Sequence, residues 1–88
     1  MKALWEKQGG RCAYTGELLI PGVNASLDHK IPSTRGGTND LENLQWVTYQ
    51  VNRMKTDMLE EEFFRLCRMV LEGKGFSVVP NWFPRKNP

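Results

Sequence analysis

The only histidine in the chain, His29, stands directly beside Asp28, and the asparagines that follow it in the next two dozen residues include Asn43 and Asn52. Imidazole takes up and releases a proton near neutral pH, which suits it to deprotonate a water. A carboxylate and an amide oxygen converging near a phosphate form a hard, oxygen-only partial shell, which suits Mg²⁺ completed by water and phosphate oxygens. Singly, none of these residues is unusual. A histidine beside an aspartate is most often a hydrogen-bonded structural pair, Asn43 reads as a turn residue, and Asn52 as a solvent-facing helix asparagine, a poor helix former.

The elements around them decide whether they can meet. Ser26 to Ile31 has a strand-like pattern ended by Pro32, and the turn-formers Ser33-Thr34-Arg35-Gly36-Gly37-Thr38-Asn39-Asp40 make a loop of about a dozen residues, a length usually functional or disordered. Leu44-Gln45-Trp46-Val47 is a second strand, and Thr48 can cap a helix over Tyr49 to Lys55. Asp28, His29, Asn43 and Asn52 thus fall on strand, loop, strand and helix. Neighbours on a strand point to opposite faces, so Asp28 and His29 share a site only where the strand ends or bends. Pro32 and the turn-formers after it supply that end. Asn52 leans back toward the start of its helix, where unpaired N–H groups favour an anion.

The remaining sequence reads as support. A brief helix near Lys2 to Gln8 precedes a short hairpin, with Cys12-Ala13-Tyr14 and Leu18-Leu19-Ile20 around Thr15-Gly16-Glu17. Asp57 can cap a further helix with Glu60 completing a capping-box-like pair, and Glu60, Glu61 and Glu62 suit the positive end of its dipole. Leu59, Phe63, Leu66, Cys67 and Val70 recur at helical spacing, a core-facing stripe that ends near Gly73-Lys74-Gly75. Phe76 to Val79 could be a strand, and Trp82 and Phe83 in the Pro-punctuated tail are expected to lie across the domain.

Composition bounds the whole. Eighty-eight residues, 40% hydrophobic and 25% charged, give one small α+β domain over 1–88 with room for one core and one site. Its core would span about 25–56, its supporting helix about 58–73 and its tail 74–88. No apolar run reaches the ~18 residues that span a bilayer, and the start is not signal-like, so a soluble, cytoplasmic protein without membrane partners is expected. Two cysteines exclude a disulfide framework. The net charge of +2 divides unevenly: Lys30, Arg35, Arg53 and Lys55 face Asp28, Asp40 and Glu42 between 28 and 55, and then Asp57, Glu60, Glu61 and Glu62 reverse the sign.

Asp28-His29-Lys30-Ile31-Pro32, then Arg35-Gly36-Gly37, then Asn43-Leu44-Gln45-Trp46-Val47, then Asn52-Arg53-Met54-Lys55 resembles the HNH endonuclease motif, the ββα-metal finger. The intervals, 14 residues from His29 to Asn43 and nine from Asn43 to Asn52, are in keeping with that family. The resemblance implies a Mg²⁺-dependent DNA endonuclease or nickase, with Mn²⁺ a substitute, leaving 5′-phosphate and 3′-hydroxyl ends. It makes His29 the general base, Asp28 and Asn52 the holders of one cation, and Asn43 a pin that keeps the loop and His29 oriented. Lys55 becomes the first phosphate contact, with Arg35, Arg53 and Lys30 behind it. One metal in one site cuts one strand per engagement, so double-strand cleavage would need a homodimer, a second encounter or a larger assembly.

Many members of that family hold a structural zinc with two Cys-x-x-Cys pairs; the matching positions here are Cys12, Thr15, Thr48 and Val51. Without three of the four ligands this chain is expected to fold with no structural zinc, relying on Tyr14, Leu18, Trp46, Val51 and the long-helix stripe. An alternative keeps the finger as a nucleic-acid-binding module with little catalysis, one part of a larger protein. A protein-interaction domain with no nucleic-acid role is the third reading, and it predicts no salt-dependent DNA binding.

Overall fold

Two five-residue strands form the centre, β1 (Ala25–His29) and β2 (Leu44–Thr48), paired antiparallel with Ala25 opposite Thr48, Asp28 opposite Gln45 and His29 opposite Leu44. The computed structural model describes residues 2–78. Among these residues three helices lie around the two-stranded sheet, α1 (Lys2–Lys7), α2 (Tyr49–Lys55) and α3 (Glu60–Gly73), so the domain is α+β. The expected strand stops two residues early, at His29, because the chain is already turning into the loop before Pro32. That loop is ordered by two short 3₁₀ turns, Ser33–Arg35 and Leu41–Asn43.

Strand alternation puts Ser26, Asp28, Gln45 and Val47 on one face of the sheet and His29, Leu44 and Trp46 on the other. Val47, fully enclosed, joins Cys12 and Leu19 in the buried centre, with Trp5, Tyr14, Ala25 and Trp46 packed around it. The edge of the Trp5 ring meets Trp46 at 5.4 Å between centroids, which ties α1 to β2. The expected hairpin reduces to one bridge, Arg11 with Leu18, closed by Cys12 N–H to the Glu17 carbonyl at 2.8 Å. Within it Leu19 turns inward and Leu18 outward, so the expectation of Leu18 in the core is corrected: it is 59% exposed.

Thr48 caps α2 as expected, its hydroxyl accepting from Val51 N–H at 3.1 Å. Asp57 does not cap α3. Residues 55–58 form a reverse turn closed by Met58 N–H to the Lys55 carbonyl, which holds Asp57 too early, and the helix starts at Glu60. Leu59 takes the cap position, and only half a capping box forms, Leu59 N–H donating to Glu62 Oε1 at 3.0 Å. Leucine has no acceptor to return.

The expected core-packing stripe on α3 also needs correction. Phe63 is buried against Tyr14, with ring centroids 5.6 Å apart, but Leu66 and Val70 are 46% and 58% exposed. Fourteen residues make a rod of about 21 Å, and only its first turns reach the sheet. Phe76 to Val78 form no strand, and Val79, Trp82 and Phe83 lie outside the described residues. No helix among the described residues is long and apolar enough to cross a membrane.

Candidate functional site

A cleft of about 230 Å³ opens where β1 ends, and Asp28, His29 and Asn52 line it together with Leu27, Pro32, Ser33, Thr34, Thr56 and Asp57. Three of the four residues singled out in the sequence therefore share one wall. The strand's termination at His29 is what lets neighbours of opposite face do so.

Asn43, the fourth, lies behind the cleft. It is 9% exposed and braces both ends of the loop: its Oδ1 accepts from Ile31 N–H at 2.9 Å, and its Nδ2 donates to the carbonyls of Ile31 at 3.1 Å and Thr38 at 2.7 Å. Its own carbonyl accepts from Lys30 N–H at 2.8 Å. These bonds span the residues on either side of the loop and fix the backbone that carries His29. Gly37 passes against this brace so closely that a Cβ there would fall 1.6 Å from the Ile31 carbonyl oxygen, so the second glycine of Gly36-Gly37 is a requirement of close approach. Gly36 serves differently, taking φ +92° at the end of the first 3₁₀ turn.

His29 Nε2 lies 2.7 Å from Asn39 Oδ1. Where Nε2 carries the proton it donates to that amide oxygen and leaves Nδ1 its lone pair. Asn39 was not singled out in the sequence, where it reads as one turn-former among eight. Asn52 Nδ2 donates to Ser26 Oγ at 2.7 Å, across to β1, which orients the amide and, among the described residues, leaves its oxygen uncommitted.

Asp28 is 3% exposed and is held on both oxygens: Lys55 Nζ donates to Oδ1 at 3.1 Å and Gln45 Nε2 to Oδ2 at 3.0 Å. Each carboxylate oxygen keeps a second lone pair. Gln45 Nε2 also reaches Glu60 Oε2 at 3.2 Å, which in turn accepts from the Tyr14 hydroxyl at 2.7 Å. Burial and the bond to Glu60 push the Tyr14 phenol up from its ordinary range, so it stays a donor. A polar chain thus runs from Lys55 through Asp28, Gln45 and Glu60 to Tyr14, anchoring the start of α3 behind the cleft. Gln45 could have been noticed as the one polar residue between Leu44, Trp46 and Val47 on a strand.

The expected phosphate contacts are redistributed. Lys55 follows Asn52 by three residues, but its ammonium is fully enclosed and donates to Asp28, to the His29 carbonyl at 2.9 Å and to the Lys30 carbonyl at 3.5 Å. It cannot reach a phosphate on the surface, and that expectation is corrected. The α2 face that points at the cleft continues, one turn on, into the sheet. Arg35 is paired through both nitrogens with Glu62, each bond 3.1 Å. Arg53 remains exposed, its guanidinium 5.5 Å over the Tyr49 ring, and Lys30 is half-buried at the loop's start.

The four positions matched to a zinc site do converge. Thr15 N–H and Thr48 N–H each donate to Cys12 Sγ at 3.4 Å, and Val51 N–H donates to Thr48 Oγ1. Burial raises the Cys12 thiol, but the hydrogen bonds from Thr15, Tyr14 and Thr48 together outweigh it and the net direction is down. Among the described residues no three His, Cys, Asp or Glu side chains gather as a metal cluster. No family model matches the chain, and no curated protein matches it.

Proposed function

We propose that this protein is a divalent-metal-dependent DNA endonuclease or nickase of the HNH type, built on a ββα-metal finger of β1, β2 and α2. The observation that carries the reading is the shared cleft wall of Asp28, His29 and Asn52 with Asn43 braced behind it. The convergence of Cys12, Thr15, Thr48 and Val51, none of which lines that cleft, also supports it.

The donors fit a hard cation: a carboxylate with lone pairs to spare and an amide whose nitrogen is committed to Ser26. Asp28 and Asn52 would hold Mg²⁺ or Mn²⁺, which would supply positive charge to offset the charge developing at the phosphate. His29 Nδ1 accepts the proton of a water as the water oxygen bonds to phosphorus; the bond from phosphorus to the 3′ oxygen breaks, and that oxygen takes a proton from solvent. The ends are a 5′-phosphate and a 3′-hydroxyl. Asn39 keeps the base in the tautomer with Nδ1 open, and Asn43 keeps the backbone of His29 in place. Lys30 and Arg53 are the cations available to the strand.

Supercoiled plasmid incubated with the protein and Mg²⁺ tests the proposal. Conversion to open circle, abolished by EDTA and yielding ends that ligase reseals, is expected. Salt-dependent DNA binding with no conversion in Mg²⁺ or Mn²⁺ would leave only the binding-module reading.

A further inference from the structure

The nuclease reading does not use Lys55, although it is the most thoroughly buried charge in the described domain. Its side chain is 0% exposed, Asp28 beside it is 3% exposed, and their ion pair is 3.1 Å long. The other donors go to the backbone carbonyls of His29 and Lys30, so one ammonium fastens the carboxylate of the proposed metal holder and the backbone of the proposed base. Apolar residues of the same size would often serve stability as well as such a buried pair.

We infer that Lys55 is the resident counter-cation of the metal site: it neutralises Asp28 and keeps affinity for a free divalent ion low, so that ion and phosphodiester are captured together. This rests on the proposed reading of the site. With Lys55 in place the pair carries no net charge, and an arriving dication meets an ammonium already bonded to its carboxylate. A phosphodiester brings the negative charge that Asp28 alone no longer offers. Lys55 is then a positioning residue that sets when the site fills.

The test is Mn²⁺ binding without DNA, by titration calorimetry, with a melting scan alongside. Lys55→Met keeps the length and removes the charge; Asp28→Asn with Lys55→Met removes both. Lys55→Met is expected to bind Mn²⁺ at least ~10-fold more tightly than wild type, within the usual range for coupled sites. Its melting temperature should rise by ~5 °C or more in Mn²⁺ while wild type and the double variant barely move. A Lys55→Met chain that folds only once Mn²⁺ is added supports the inference equally. Equal or weaker Mn²⁺ affinity than wild type overturns it. So does a Lys55→Met chain that stays unfolded at every Mn²⁺ concentration while the double variant folds. A wild type that never nicks DNA beside a variant that gains Mn²⁺ affinity would refute the nuclease reading alone.

Discussion

Asn43→Ala separates a loop brace from a turn residue. The side chain makes three hydrogen bonds, of 2.9, 3.1 and 2.7 Å, to groups twelve and five residues away in sequence. At about 0.5–1.5 kcal/mol net for each, three independent bonds total about 1.5–4.5 kcal/mol. Asn43 itself is buried, but Ile31 and Thr38 are exposed enough for water to replace part of what is lost, which favours the lower end, about 2 kcal/mol. For a domain of this size the urea dependence is about 1 kcal/mol per molar, so the unfolding midpoint should fall by about 2 M. Activity should fall further than the folded fraction: once the loop is released, the misplaced His29 should cost about 100-fold in cleavage even where the variant is wholly folded. Asn43→Asp retains the acceptor for Ile31 N–H but turns a carboxylate oxygen toward the carbonyls of Ile31 and Thr38, and should cost at least as much as Asn43→Ala. Urea titration and plasmid nicking on the same preparations read both effects. An unchanged midpoint, or full cleavage by a folded Asn43→Ala, would refute the brace.

Gly37→Ala should act through the same brace, because its Cβ meets the Ile31 carbonyl oxygen at 1.6 Å; it should destabilise by more than about 2 kcal/mol, whereas Gly36→Ala, with open space, should cost about 1 kcal/mol. Equal melting temperatures for the two would contradict this. Thr56, a β-branched residue, sits at φ +50° and ψ −121° in the turn after α2, so Thr56→Gly should relieve strain and raise stability by about 1 kcal/mol; a lower melting temperature would count against strain there. The Glu62 carboxyl is held below its usual range by Arg35 and then by Leu59 N–H, so the stability it contributes is present above the ordinary glutamate range and lost as pH falls through the lower folded value. Between pH 6 and pH 3, roughly spanning that range, wild type should lose melting temperature more steeply than Glu62→Gln; parallel profiles would contradict the link.

What was legible in the sequence is what local signals control. The turn-formers from Pro32 onward mark the loop that follows β1, Thr48 caps a helix with its own hydroxyl, and the apolar and aromatic run of β2 is visible in its residues. From these the order strand, loop, strand, helix follows, and with it the meeting of Asp28, His29 and Asn52. Other outcomes depend on tertiary context. The apolar spacing of α3 says which residues share a face but not how far the body extends beneath them, so Phe63 is buried and Val70 is not. Spacing puts Lys55 on the same helix face as Asn52, yet a cation's spacing does not say whether its partner is a phosphate or a buried carboxylate across the sheet. Asn39 gave no signal, because its contact with His29 arises only after the loop has folded back on itself.

The central claim, that His29 is the base of a phosphodiester-cleaving site, is tested most directly by single-turnover cleavage of supercoiled plasmid in Mg²⁺, comparing wild type with His29→Ala at matched folding and DNA affinity. His29→Ala should lower the rate by about 10²- to 10⁴-fold while leaving the urea midpoint and DNA binding unchanged. A His29→Ala protein that opens plasmid at the wild-type rate would contradict the account.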